Sequence, residues 1–219
     1  PLAATRSERV AYIVMLAGPG IPGIDILVAQ GQLINRAAGA PEAAVEMNAR
    51  LQSMLADIAK EEPDPEKAGP LMRSAMREEI ALLPQAIMEL IPESQINDVA
   101  INTTVNQFNS PWFRFFLHYD PRPVLEQVSV PVLAISGEKD LQVPHDLNVP
   151  EIEAAFERGN NEAATVRVLP GLNHLFQQAE SGAPSEYQQI EETFNQSALE
   201  LVSSWILKQF TSPKADTLN

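Results

Sequence analysis

The chain has no cysteine, which removes disulfides and thiol nucleophiles from consideration and leaves its redox compartment undecided. Positive charge is scarce too: 15 Lys and Arg stand against 29 Asp and Glu, giving a net charge of −14 with histidines neutral. Phosphate binding needs concentrated Lys and Arg, so no nucleic-acid partner is expected. No apolar run approaches the roughly 18 residues of a membrane-spanning helix, so no membrane span is expected either. Histidine occurs at only three positions, 118, 145 and 174, with no HxH or HExxH spacing, and no metal site is expected. What remains is 219 residues with 45% hydrophobic content, enough for a sizeable core in one domain or in a domain with an insertion.

The most informative stretch runs from Val130 to His174. Val132, Leu133, Ala134 and Ile135 form a short apolar run without alternation, the pattern of a strand buried on both faces of a parallel sheet. Pro131 stands at its start, where a missing ladder donor is tolerated, and Gly137 ends it. A second strand is predicted from Thr165 to Leu169, closed by Pro170 and Gly171. Between them Glu151 to Arg158 reads as a crossover helix, acidic at its start and stopped by Gly159. Parallel strands joined by a crossover point the same way, so their trailing loops share one rim, where open α/β sheets place ligands. Asp140 comes after the first strand and His174 after the second. An acid and an imidazole meeting there supply two-thirds of a nucleophile-activating triad: the carboxylate fixes the tautomer and the imidazole takes the nucleophile's proton. Glu138 competes for the acid role from a position nearer the strand, and Asn173 reads as a turn residue. His118, in a predicted helix, and His145, in the loop after Asp140, read as structural or exposed.

GEKDLQVP and, further on, LPGLNHLFQ resemble the acid and histidine loops of the α/β-hydrolase superfamily, in its serine-aminopeptidase-like and esterase-like branch. The family order is serine, acid, histidine, with the serine in a G-x-S-x-G elbow, and no such motif occurs in this chain. The opening PLAATRSERVAYIVMLAGPG resembles the family's segment just beyond the elbow: the end of the nucleophile helix, a polar turn from Arg6 to Arg9 and a strand from Val10 to Ala17. The chain begins with Pro1, so the expectation is a fragment, or one piece of an enzyme whose elbow lies upstream, and its localisation stays open. The resemblance implies an α/β fold: the C-terminal part of the family's sheet, about three parallel strands with flanking helices, interrupted by an all-α lid. It divides the chain into core at 1–22, helical lid at 23–115 and core at 116–219. It further implies a serine hydrolase that transfers an acyl group from a small ester or peptide-like substrate to water, with Asp140 and His174 from this chain and no cofactor. By itself the chain is expected to be nearly inert. The open edge of its first strand would invite self-association or receive the missing N-terminal part. Two alternatives keep the fold: a non-catalytic module that binds an apolar ligand under the lid, and an upstream aspartate nucleophile as in dehalogenase-like relatives.

The rest of the chain fills in the insertion and the end. GPGIPG from Gly18 releases the chain from the sheet. Helical stripes come next at Ile26, Leu27, Leu33 and Ile34; at Val45, Leu51, Met54, Leu55 and Ile58; at Leu71, Ala75, Met76, Ile80 and Leu83, limited by Pro84; and at Ile96, Val99 and Ala100. Such stripes usually mark core, though with Phe108, Trp112, Phe113 and Phe116 they also suit an acyl pocket. Ser110 to Pro121 reads as an aromatic helix packing the lid back onto the core. After a polar segment at 177–192, Ser197 to Glu200 matches a capping box. The final helix then presents Ala198, Leu201, Val202, Trp205 and Ile206 to the sheet, and a polar tail begins at Thr211.

Overall fold

The computed structural model describes residues 1–211; Thr211, where the polar tail was expected to begin, is the last helical residue, and the rest of that tail lies outside the described residues. The chain divides into two compact units, one made of Pro1–Ile21 with Pro121–Asn219 and the other of Pro22–Asp120. In chain order the elements are β1 (Ile13–Leu16), α1 (Gly23–Ala37), α2 (Glu42–Glu61), α3 (Pro65–Ala81), α4 (Gln85–Met88), α5 (Glu93–Ile96), α6 (Asp98–Asn109), α7 (Pro111–His118), α8 (Arg122–Leu125), β2 (Val132–Gly137), α9 (His145–Arg158), β3 (Ala164–Leu169) and α10 (Gln196–Thr211). Among the described residues no helix is long and apolar enough to cross a membrane.

The first unit is mixed α/β, built on a three-stranded parallel sheet in the order β1-β2-β3. Ile13 pairs with Val132 and Leu16 with Ile135; on the other side Val132 pairs with Ala164 and Gly137 with Leu169. Every residue of β2 is buried, as its unbroken apolar run requires. Successive side chains leave a strand on opposite faces. Val132 and Ala134 pack with Met15 of β1 and with Ile152, Ala155 and Phe156 of α9. Leu133 and Ile135 pack with Ala198, Leu201, Val202 and Trp205 of α10. The two helices therefore cover opposite faces of one central strand, and β1 and β3 keep one unpaired edge each among the described residues.

Several boundaries differ from the sequence reading. β1 is shorter than the expected Val10–Ala17, because Val10 closes a turn onto Ser7 and Ala17 leaves the strand at φ 48° while its N–H still reaches Ile135 C=O at 2.8 Å. α9 starts at His145, well before Glu151, because Pro144 supplies a rigid residue just ahead of its first turn. His145 thus opens a helix and does not sit in the acid loop. α10 starts before the expected capping box: Asn195 Oδ1 accepts from Ser197 N–H at 3.0 Å and from Ser197 Oγ at 2.6 Å, so the cap is the asparagine. In the polar segment, residues 184–189 wind into a 3-10 turn.

The second unit is all helical. Its core holds Leu55, Ala59, Met72, Ile101, Val105 and Leu117, drawn from α2, α3, α6 and α7. Helix ends are fixed by local chemistry: Asp64 accepts from Glu66 N–H at 3.0 Å ahead of Pro65, and Asn97 accepts from Ala100 N–H at 2.9 Å. Arg114 Nη1 donates to the carbonyls of Ala59 at 2.7 Å and Glu62 at 3.0 Å, closing the carboxyl end of α2. The aromatic helix α7 falls inside this unit, with Phe113 edge-on to Phe108 at 5.1 Å. α4, absent from the sequence reading, and α5, whose Ile96 was read as part of the stripe that continues in α6, are single turns behind Pro84 and Pro92. The unit's two ends meet: Gly23 N–H donates to Tyr119 C=O at 3.2 Å.

Candidate functional site

Because β2 and β3 run parallel, the loops after Gly137 and Leu169 leave the sheet at the same rim. They are joined backbone to backbone. Glu138 N–H donates to Leu169 C=O at 2.9 Å and Lys139 N–H to Leu172 C=O at 2.9 Å. The closeness depends on Gly137, since a Cβ there would lie 2.3 Å from Leu172 O and 2.6 Å from Asn173 O. Glu138, the competitor for the acid role, is occupied in another way: its Oε2 accepts from Gly171 N–H at 2.7 Å, holding the start of the histidine loop where Gly171 takes φ 72°.

Asp140 is buried in the first loop, and its carboxylate is held at both oxygens. Oδ1 accepts from the N–H groups of Gln142 and Val143, each at 2.8 Å, a turn in which the side chain bonds the backbone two and three residues on. Oδ2 meets Nδ1 of His174 at 2.9 Å. A carboxylate in its ionised form only accepts, so it favours the tautomer with the proton on Nδ1, in which the neutral ring has its lone pair on Nε2. The Asp140 side chain has no solvent exposure, whereas that of His174 is 27% exposed. Nε2 has no hydrogen-bond partner among the described residues.

His174 is placed by the residue before it. Asn173, read from sequence as a turn residue, is fully buried and organises the loop: its Oδ1 accepts from Leu175 N–H at 2.9 Å and Gln177 N–H at 3.0 Å, and its Nδ2 donates to Gln177 Oε1 at 2.9 Å. Phe176, at φ 58°, lets the loop double back, and Asn173 N–H closes it on Gln177 C=O at 3.0 Å. The signal for this role was an Asn two residues after Pro170-Gly171, between Leu172 and His174, which is also an ordinary turn pattern. The next segment is strapped over the acid loop. Lys139 Nζ donates to the carbonyls of Ala179 at 2.8 Å and Glu180 at 2.7 Å, and Gln142 Nε2 donates to Tyr187 Oη at 2.9 Å. Burial raises the Tyr187 phenol above its ordinary value, opposed by the bond from Gln142 and reinforced by the charges of Asp140 and Glu186.

The sequence reading's two site residues, Asp140 and His174, are thus in contact. The other two histidines are elsewhere: His145 is the first residue of α9, and His118 is the last residue of α7, exposed in the helical unit. Burial, then the charges of Lys60 and Arg114, lower the pKa of His118 from its ordinary 6.5, with Asp57 acting the other way. Among the described residues no group of three His, Asp or Glu side chains could hold a metal ion. The paired carboxylate and imidazole can hold a proton at Nδ1 and accept one at Nε2, the arrangement of a general base. Compared with known proteins, the chain matches no family model, no curated protein and no solved structure.

Proposed function

We propose that this chain supplies the acid and the histidine of a serine hydrolase of the α/β-hydrolase type, acting on a carboxylic ester or amide by acyl transfer to water. One observation carries the reading: at the shared rim of two parallel strands, the buried Asp140 fixes the His174 ring at 2.9 Å while Nε2 stays without a partner among the described residues. A binding scaffold has no need of an imidazole oriented in this way; a nucleophile's base does.

In this reading a serine hydroxyl carried on polypeptide outside residues 1–219 attacks the substrate carbonyl, and its proton passes to Nε2 of His174. The imidazolium so formed is stabilised by Asp140. It then gives the proton to the departing alkoxide or amine as the carbonyl–heteroatom bond breaks. Water attacks the acyl-serine next, losing a proton to Nε2, and the released serine oxygen takes that proton back. None of these steps calls for a cofactor or metal. The open edge of β1 is where further strands of the family's sheet would pair. In this reading the helical unit, Pro22–Asp120, would be the lid.

The test is reaction of the protein, produced from its complete reading frame, with a fluorophosphonate. The expected result is one labelled serine outside residues 1–219, with labelling reduced at least 1,000-fold in rate by His174→Ala. Absence of label on a folded protein would overturn the serine reading. Label that is indifferent to His174 would overturn the assignment of the base.

A further inference from the structure

The loop that carries Asp140 is gripped on both sides of that residue. Residues 141–143 belong to no helix or strand, so the turn that holds the carboxylate has no regular structure behind it. Its support comes from the strap at 179–187. Lys139, one residue before Asp140, donates to the carbonyls of Ala179 at 2.8 Å and Glu180 at 2.7 Å. Gln142, two residues after it, donates from Nε2 to Tyr187 Oη at 2.9 Å. Between these ties the two backbones touch, since a Cβ at Gly182 would collide with Lys139 C=O. The strap is itself braced. Glu186 accepts from the N–H groups of Glu180 at 3.1 Å and Ser181 at 2.6 Å, and Tyr187 sits in the 3-10 turn at residues 184–189.

The two ties differ in what they demand of the sequence. Lys139 reaches backbone carbonyls, which any residues at 179 and 180 would supply. Gln142 reaches a side-chain oxygen, so its tie exists only while residue 187 can accept there. Gln142 is also the residue whose N–H meets Asp140 Oδ1 at 2.8 Å, and the other oxygen of that carboxylate meets His174 Nδ1 at 2.9 Å. A continuous path therefore runs from the phenol through Gln142 and Asp140 to the imidazole. If the Gln142 side chain is released, its N–H is free to leave Oδ1 and the carboxylate to turn, and the ring loses the acceptor that keeps its proton on Nδ1. We propose that Tyr187 is a positioning residue: its hydroxyl, acting through Gln142, fixes the Asp140 carboxylate and thereby the tautomer of His174. Its place in catalysis rests on the reading of His174 as a hydrolase base; its effect on the ring does not.

The experiment is long-range 1H–15N correlation NMR of the whole chain with its imidazoles neutral, the His174 signals being identified by their loss in His174→Gln. The unaltered chain is expected to show His174 chiefly as the Nδ1–H tautomer. Tyr187→Phe removes one oxygen and keeps the ring, so packing is retained, and it should lower the ratio of Nδ1–H to Nε2–H about fivefold, the equivalent of one net hydrogen bond. The signals of His118 and His145 should not move. Gln142→Leu should have the same effect from the other end of the bond, and the double variant should lose no more than either single one. In the protein made from its complete reading frame, Tyr187→Phe should slow fluorophosphonate labelling by a similar factor. Three results would overturn the proposal: an unchanged tautomer ratio in Tyr187→Phe, losses that add in the double variant, or an unaltered chain whose ring carries its proton on Nε2. Failure of the hydrolase reading has a different signature, no label even on the unaltered protein, and the tautomer ratios then still decide the role of Tyr187.

Discussion

The rim of the α/β unit and the helix contacts of the helical unit both bury polar side chains, but they treat them in opposite ways. On the rim, Asp140 meets three donors and Asn173 uses both ends of its amide, so each loop has one conformation that satisfies everything in it. In the helical unit lie the buried side-chain atoms that lack a partner among the described residues, Asn48 Oδ1, Gln52 Oε1 and Arg114 Nε. A satisfied buried polar group fixes geometry, and an unsatisfied one carries an energetic penalty. The first arrangement suits a base whose ring must not wander; the second leaves carboxamide oxygens packed over Gly31 of α1 without a donor.

Substitutions can break or sharpen this contrast. The largest effect is expected for Gly137→Val, whose side chain would drive into the carbonyls of Leu172 and Asn173. Backbone cannot swing aside as a side chain can, so urea unfolding should show a loss of roughly 3 kcal/mol. A loss below about 1 kcal/mol would mean that the two loops are not locked together through their backbones. Next is Asn173→Leu, which leaves the N–H groups of Leu175 and Gln177 without their acceptor and should cost about 2 kcal/mol. Asn173→Asp, keeping an oxygen for both donors, should recover part of that loss in the same assay. Gln52→Leu should move the other way, stabilising the chain by about 1 kcal/mol as an orphaned acceptor is replaced by apolar surface. If it destabilises as Asn173→Leu does, the two regions do not differ in the way proposed.

The smallest effect concerns His118, whose folded pKa lies below its ordinary 6.5. The unfolded chain then binds the proton more readily, so folding stability is fully present above pH 6.5 and is lost as pH falls from there toward the lowered value. Replacing it by His118→Asn should flatten the fall in stability between about pH 7 and pH 5 by a small, measurable amount, read from urea midpoints across that range.

The sequence was most legible where burial imposes a simple pattern. Val132 to Ile135 reads as a doubly buried strand because both faces are covered, by α9 on one side and α10 on the other. The juxtaposition of Asp140 and His174 came from two parallel strands with trailing loops, a topological consequence that needs no side-chain detail. The strand at residues 10–17 was harder, because Val10 and Tyr12 look strand-like while hydrogen bonding, invisible in sequence, begins only at Ile13. Both Asn195 and Ser197 suit an N-cap, and the choice between them depends on where the incoming chain turns. The role of Asn173 was hidden for a similar reason: a turn asparagine and a loop-organising asparagine carry the same letter, and only burial separates them.

The meeting of Gly23 and Tyr119 has a kinetic consequence. Adjacent strands β1 and β2 pair residues more than a hundred positions apart, a slow kind of contact for a diffusing chain to find. Once the segment between them has collapsed with its ends tied, the effective tether shrinks to the residues at 17–22 and 120–131. The entropic cost of bringing the strands together then falls by about 1.5 kcal/mol. The inserted helices thereby act as a splint: wherever they collapse first, the sheet is cheaper to close.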